Sequence, residues 1–124
     1  MKEPMRYLKN AKDILKSAPI EGRRYADVKY VQEACGTAYL AVLKAIDEYL
    51  MRRGLGKKEL PKSVDAYREA LRKHGGIHNG KLWKEFESLY DELHIAGYYR
   101  GMLSSVNIVK EAFKGAKSFI DRLE

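Results

Sequence analysis

The sequence predicts an all-α fold, an antiparallel up-and-down bundle of four long helices plus one short helix. Apolar residues recur at steps of three and four along most of the chain, which places them on one face of a helix. No segment keeps the alternation of apolar and polar residues that a half-buried strand shows. Proline is scarce, with 3 residues in 124, and the loops between the periodic segments are short. Short loops favour antiparallel helix neighbours.

Length and composition predict one domain, residues 1–124. Hydrophobic residues make up 45% of the chain and charged residues 33%, as in soluble globular proteins. We expect no membrane span, because no apolar stretch is long enough, and no secretion signal. The single cysteine, Cys35, excludes an intramolecular disulfide and fits a reducing compartment, so a cytoplasmic location is expected.

The longest predicted helix runs from Asp27 to Leu50 and forms the centre of the predicted bundle. Small residues surround Gly36 within this helix, and a glycine inside a helix costs about 1 kcal/mol relative to alanine. We therefore expect neighbouring helices to approach closely at Gly36. The apolar residues of this helix fall on one face: Val28, Val31, Ala34, Cys35, Ala38, Val42, Ala45, Ile46 and Tyr49.

The first helix is predicted to begin near Pro4 and to end at a turn around Pro19 and Gly22. We interpret its basic side as solvated surface rather than as an anion-binding stripe. The residues on that side are Arg6, Lys9, Lys12 and Lys16.

Three more helices are predicted after the loop that begins at Gly54. A short one has Ser63 as its N-cap, and the last one is capped by Ser104 or Ser105. The long helix between them should end or bend near Gly97. The predicted core residues of the two long helices are Leu82, Phe86, Leu89, Tyr90, Leu93, Ala96, Val109, Ala112, Phe113, Ala116, Ile120 and Leu123.

Four phrases of the sequence, in this order, carry a family resemblance. They are YLKNAKDIL from Tyr7, YADVKYVQEACGTAYLAVLKAI from Tyr25, SVDAYREALRKHGGI from Ser63, and LYDELHIAGYY from Leu89, the last followed by IVKEAFKGAKSFIDRL. Together they resemble the HEPN-like superfamily of small bacterial helical bundles. The resemblance covers nearly the whole chain and implies an HEPN-like bundle that forms a homodimer.

The HEPN-like resemblance implies one of two roles: an RNase, or an inactive partner of a small nucleotidyltransferase in a toxin–antitoxin pair. Active members carry an arginine followed four to six residues later by a histidine, near the start of a late helix. Here the last helix has no histidine, and Arg122 comes too late. In another branch an arginine is followed four residues on by Asp-Tyr, and the matching positions here are His94, Tyr98 and Tyr99. We therefore expect a non-catalytic interaction module, with no catalytic residue assigned.

The alternative is an HEPN-type RNase or RNA-binding protein. Arg72 and His78 have a fitting spacing, as do Arg68 and His74, although such short pairings also arise by chance. These pairs lie around the short helix and not where the family motif belongs. Arg72 and His78 are the candidate catalytic residues of this alternative, which would also use His74, Tyr99 and Arg100.

Two clusters are the predicted binding residues for nucleic acid or a protein partner. The net charge of +7 favours an acidic partner. Tyrosines close to His94 and Arg100 can stack on bases and contact phosphate, or can close the end of a bundle. The predicted residues are Arg52, Arg53, Lys57, Lys58, His94, Tyr98, Tyr99 and Arg100.

No metal site and no cofactor are predicted. His74, His78 and His94 do not form a pair at helical metal-ligand spacing, and the cysteine lies far from them in the sequence. The glycines after Arg53 lack the preceding strand and the later hydroxyl residue of a phosphate-binding loop. No Glu-x-x-His pair occurs that would build a di-iron site.

Overall fold

The computed structural model describes residues 2–75 and 80–124, and these are mostly helical. The prediction of a predominantly helical chain is therefore confirmed. A small hairpin of two short strands was not predicted, because two residues per strand are too few to show alternation. The elements are α1 Lys2–Lys16, β1 Ile20–Glu21, β2 Arg24–Tyr25, α2 Val28–Arg52, a 3-10 turn Lys57–Glu59, α3 Val64–His74, α4 Gly80–Leu89 continuing as a π-helix Tyr90–Tyr99, and α5 Val106–Leu123.

Helix α2 is the centre of the core, in contact with α1, α5 and the π-helix. Its predicted apolar face is buried, and Val28 is the exception, at 39% exposed. Residues such as Val31 and Ile46 are fully buried, and burial of a side chain of this size stabilises the fold by about 1.5–3 kcal/mol. The Asp27 side chain accepts a hydrogen bond from the Lys29 amide at 3.0 Å and so caps the helix.

Contacts at the helix ends give the relative directions of α1, α2 and α5. The Lys44 ammonium, late in α2, lies 5.4 Å from the ring centre of Tyr7, early in α1, so these two helices run in opposite directions. The Tyr25 amide, just before α2, donates to the Ser104 carbonyl, just before α5, at 2.8 Å. At the other end Arg52 donates to the Leu123 carbonyl at 2.6 Å. Helices α2 and α5 therefore run in the same direction.

The predicted helix boundaries have identifiable causes. Ser63 accepts a hydrogen bond from the Ala66 amide at 3.1 Å, which confirms it as the cap of α3. Of the two candidates for the last helix, Ser105 is the cap, accepting from the Ile108 amide at 3.3 Å. Gly54 has φ +103°, a left-handed conformation in which a glycine ends a helix without strain.

The second half of the long helix that begins at Gly80 is π-helical. The Arg100 amide donates to the Ile95 carbonyl, five residues earlier, at 2.9 Å. Gly101 then adopts φ +60°, and the Met102 amide donates to the Ala96 carbonyl at 2.8 Å. The sequence predicted an end or bend near Gly97 and not this change of helix type. A π-helix of ten residues is unusual, because most occur as single turns within α-helices and many of those lie at functional sites.

Within residues 2–75 and 80–124, no helix has the length and apolar character needed to cross a membrane.

Candidate functional site

The π-helix lies against α2 through two glycines. A Cβ atom at Gly97 would lie 2.6 Å from the Cys35 sulfur, so only a glycine allows this approach. A Cβ atom at Gly36 would lie 2.7 Å from the Tyr98 ring. The expectation of a close helix contact at Gly36 is therefore confirmed. These contacts fix the π-helix on the first half of α2.

Four rings form a row along α4 and the π-helix. The ring centres of Phe86 and Tyr90 are 6.5 Å apart, those of Tyr90 and His94 are 5.3 Å apart, and those of His94 and Tyr98 are 5.7 Å apart. The rings are four residues apart in sequence. Four residues make close to one full turn of a helix, so side chains four apart project from the same side of it. The backbone therefore aligns the rings as stacked neighbours.

The inner part of this row is buried against α2 and α3. The Tyr39 ring lies 4.8 Å from His94, and burial raises the pKa of Tyr39 to about 12. Tyr67 donates to the Asp47 carboxylate at 2.9 Å. Burial raises the pKa of Asp47, while the hydrogen bond from Tyr67 opposes that shift. These phenols stay protonated at neutral pH and act as packing and hydrogen-bonding groups.

Arg68 packs against the Tyr90 ring of this row and pairs with two carboxylates. Its guanidinium carbon lies 5.2 Å from the Tyr90 ring centre, within cation–π distance. It also pairs with Glu87, and with Asp65 at 2.7 Å. These two carboxylates raise the pKa of Arg68 further above its already high ordinary value.

His94 has the surroundings of a packed ring rather than of an acid–base catalyst. It stacks between Tyr90 and Tyr98 and touches Tyr39. In the part of the chain that the structure describes, its imidazole makes no hydrogen bond that would fix one tautomer. A general base needs such orientation and a substrate proton within reach.

The outer end of the row is exposed and continues onto the surface of α2. Tyr98 is 49% exposed, Tyr99 72%, Met102 66% and Leu40 47%. We name this surface the aromatic face and define it by these four residues together with Lys29, Gln32 and Glu33, which line it.

The aromatic face contains two shallow cavities. One, of about 300 Å³, is lined by the polar residues of the face together with Tyr98 and Tyr99. The other, of about 610 Å³, lies between α2 and the π-helix, is also lined by Ile14 of α1, and includes Leu40, Gly36 and Tyr98 in its lining. Gln32 donates to the Tyr98 carbonyl at 3.0 Å, which holds the end of the π-helix beside α2.

The structure divides the predicted binding residues into two groups at opposite ends of α2. Tyr98 lies on Gly36, whereas Arg52 is sixteen residues later, about 24 Å away at 1.5 Å per residue. Tyr99 and Arg100 are exposed beside Tyr98. The two clusters therefore do not form one site.

The basic cluster at the end of α2 is partly engaged in holding the fold. Arg52 donates to the Leu123 carbonyl, and Arg53 donates to the Tyr49 hydroxyl at 2.9 Å. Lys57 and Lys58 lie exposed in the 3-10 turn. These two lysines are the members of the cluster that face solvent without such a structural role.

Of the alternative catalytic pair, Arg72 and His78, only Arg72 lies within the described residues. Arg72 stacks on Trp83, with 4.7 Å from its guanidinium carbon to the ring centre, and lies 3.4 Å from Glu69. His78 lies outside the described residues. The His74 carbonyl accepts a hydrogen bond from the Tyr49 hydroxyl at 2.7 Å.

Cys35 is buried under the π-helix, and no group of metal-ligating residues is found within residues 2–75 and 80–124. Burial raises the pKa of the Cys35 thiol to about 12, and the nearby Glu92 carboxylate adds to this. A thiol with such a pKa is neutral at physiological pH and a poor nucleophile.

Leu40 and Met102 were not predicted as members of the aromatic face. Leu40 lies off the apolar stripe of α2, where a single exposed leucine is unremarkable. The one signal for the ring row was the repeat of Phe86, Tyr90, His94 and Tyr98 at intervals of four. Residues four apart share one side of an ordinary α-helix as well, so this repeat did not by itself distinguish an aromatic row from a core stripe.

A family model, described as a domain of unknown function (DUF5618), matches residues 1–124. The chain belongs to the DUF5618 family. It is also similar to a solved structure, a protein of unknown function from Dyadobacter fermentans. The two chains are 36% identical with a TM-score of 0.79, and the match covers 98% of this chain and 90% of that chain. No match was found among curated proteins. Membership in DUF5618 gives the chain a family without assigning it an activity.

Proposed function

We propose that this DUF5618 protein is a non-catalytic, HEPN-like up-and-down helical bundle that acts as an interaction module and forms a homodimer through the aromatic face. The observation that supports this is the set of large exposed side chains at one end of the ring row, Tyr98, Tyr99, Met102 and Leu40. Exposed aromatic and apolar side chains such as these are typical of protein interfaces, which are enriched in tyrosine and methionine.

The charges on the aromatic face favour a second copy of the chain as its occupant. A two-fold interface brings the same patch of both subunits together and must therefore be complementary to itself. The face carries a cation, Lys29, four residues from an anion, Glu33, on the same helix. Two copies related by a two-fold axis would place Lys29 of one near Glu33 of the other.

Sedimentation velocity over a range of protein concentrations tests this proposal. We expect a dimer that dissociates on dilution. The double variant Tyr99→Ser/Met102→Ser should be monomeric while melting like the wild type, because both side chains are exposed in the monomer. The control is Ile108→Ser, which removes another exposed apolar side chain, this one from α5, and should leave the dimer intact. A wild-type chain that is monomeric at every concentration would exclude the homodimer.

A nucleotidyltransferase partner and a cytoplasmic location are also part of this proposal. The partner follows from the HEPN-like resemblance alone. The lone buried thiol of Cys35 suits a reducing compartment. A small nucleotidyltransferase encoded beside this chain, and its co-purification with the wild-type protein, would support the partnership. Co-purification unchanged by substitution of both predicted binding clusters would count against those residues.

RNA binding is the second candidate function, and one observation favours it. His94 and Tyr98 form a stacked pair whose outer ring is half exposed, next to the exposed Tyr99 and Arg100. Bases stack on such rings, and arginine contacts phosphate. Incubation with mixed RNA separates the possibilities. Metal-independent cleavage abolished by His78→Ala would overturn the non-catalytic proposal. Binding without cleavage that weakens as salt rises would favour RNA recognition.

A further inference from the structure

A second concave surface lies between α1 and α5, away from the residues of the aromatic face. It encloses a cavity of about 370 Å³ with Leu15, Tyr25 and Phe113 as its apolar lining. Five lysines complete the lining, and we name this surface the lysine groove. The lysines are Lys12 and Lys16 from α1 and Lys110, Lys114 and Lys117 from α5.

The lysines of the groove are available to a ligand. Three of them make ion pairs along their own helices: Lys16 with Asp13 at 3.4 Å, Lys114 with Glu111 at 3.5 Å, and Lys117 with Asp121 at 2.7 Å. Such exposed pairs are worth 0–1 kcal/mol and break readily. Within residues 2–75 and 80–124, Lys12 and Lys110 make no ion pair.

The groove carries a net positive charge. Among the described residues no acidic side chain lines the cavity, and the three carboxylates paired with its lysines leave two of the five ammonium groups uncompensated, so the groove attracts an anion. The apolar lining is equally informative, because a purely ionic ligand would gain nothing from contact with Leu15 and Phe113. The methylene stems of the lysines extend this apolar surface while their ammonium groups stay in water. The groove thus offers an apolar floor and a cationic rim.

We propose that the lysine groove binds a free amphiphilic anion, a molecule with an apolar tail or ring and a carboxylate or phosphate head. The volume lies within the range of small-molecule sites, which combine mostly apolar linings with a few polar groups. The tail lies along Leu15 and Phe113, and the head lies among the lysines. This site is independent of the aromatic face and of the proposed dimer.

Titration calorimetry with decanoate, below its critical micelle concentration and at low ionic strength, tests the proposal. We expect one decanoate per chain. Acetate, which has the head without the tail, and decanol, which has the tail without the head, should bind at least about tenfold more weakly. Lys114→Gln/Lys117→Gln should weaken decanoate binding by about tenfold, because two charged contacts are lost. The control Lys57→Gln/Lys58→Gln removes two exposed lysines from the 3-10 turn and should leave binding unchanged.

Methyl NMR spectra of the same titration locate the tail. Decanoate should shift the methyl resonances of Leu15 and leave those of Leu40, on the aromatic face, in place. The proposal is overturned if decanoate does not bind, if the Lys114/Lys117 variant binds as the wild type does, or if decanol or acetate binds as tightly as decanoate. Binding to phosphatidylglycerol vesicles without binding of free decanoate would also overturn it, because the ligand would then be a membrane surface.

Discussion

The aromatic face and the lysine groove are built by different means and suit different partners. The aromatic face is formed in part by a π-helix, which glycines allow to pack closely against α2. Its polar residues include both a cation and an anion. The groove lies between the regular helices α1 and α5, and the charged side chains that line it are all lysines. A patch with both signs can pair with its own copy, whereas a patch with one sign cannot. One small bundle can therefore present a self-complementary surface and an anion-binding surface at the same time.

The largest expected effect is a loss of stability when a methyl group is added where the π-helix meets α2. Gly97→Ala would bring a Cβ atom to 2.6 Å from the Cys35 sulfur and 2.7 Å from its Cβ. We expect a loss of about 2 kcal/mol in the free energy of unfolding, the usual cost of overpacking. Urea denaturation measures it, and Cys35→Ala in the same chain should recover part of the loss by removing the sulfur.

The control for Gly97 lies on the helix of the lysine groove. At Gly115 an added Cβ atom would meet Leu89 at 3.6 Å, an ordinary contact. Gly115→Ala should raise the free energy of unfolding by roughly 0.5–1 kcal/mol, because alanine favours the helix. Equal effects of the two substitutions would contradict the assignment of a close contact to Gly97.

An intermediate effect is expected at Gly36, where the neighbour is a movable ring. Gly36→Ala would place a Cβ atom 2.7 Å from the Tyr98 ring, which is half exposed and can turn outward. The helix gains an alanine, so stability should change by less than about 1 kcal/mol. The displaced ring should weaken the dimer by about tenfold in sedimentation measurements, equivalent to about 1.4 kcal/mol. Decanoate binding should be unaffected, and a parallel loss of both functions would show that the two regions are coupled.

The smallest effect concerns Glu92, a half-buried carboxyl group on the π-helix. Burial raises the pKa of Glu92 above its ordinary value of 4.5. An acid whose pKa is raised on folding contributes stability below its unfolded pKa and loses that contribution as pH rises through the folded pKa. The free energy of unfolding should therefore fall as pH rises from about 4.5 through the raised pKa.

Glu92→Gln removes the part of this pH dependence that Glu92 contributes. The variant should be more stable than the wild type at pH 7, by roughly 0.5 kcal/mol, and should converge with it at low pH. Some decline with pH should persist, because burial also raises the pKa of Asp47. Thermal unfolding across this pH range gives the comparison, and a Glu92→Gln variant that is less stable at pH 7 would reverse the assigned sign.

The sequence predicted the parts of the fold that depend on local pattern. The stripe of α2, the cap at Ser63 and the close contact at Gly36 all follow from spacing and residue type. The π-helix did not, because its apolar residues fit an α-helical stripe equally well through Leu93. The close approach of Gly97 to Cys35 accompanies it, and a contact between residues sixty-two positions apart is not visible in the sequence.

The two binding surfaces were harder to predict than the fold. The lysines of α1 resembled any solvated helix side, because their neighbours Lys110 and Lys114 come from a helix nearly a hundred residues later. The predicted tyrosines did reach a surface, but the predicted basic cluster lies at the other end of α2. Spacing along one helix shows which residues lie on the same side of that helix. Which sides of different helices meet to form a surface depends on how helices distant in the sequence pack together.

Amide hydrogen exchange at high and low protein concentration tests the central claim most directly, because one experiment observes both surfaces. If the aromatic face joins two copies, amides around Tyr98–Gly101 and in the first half of α2 should gain protection at high concentration. Amides of α5 around Lys114 should exchange at the same rate at both concentrations. Protection that increases along α5 instead, or that changes nowhere as concentration rises, would contradict the assignment of the self-association surface.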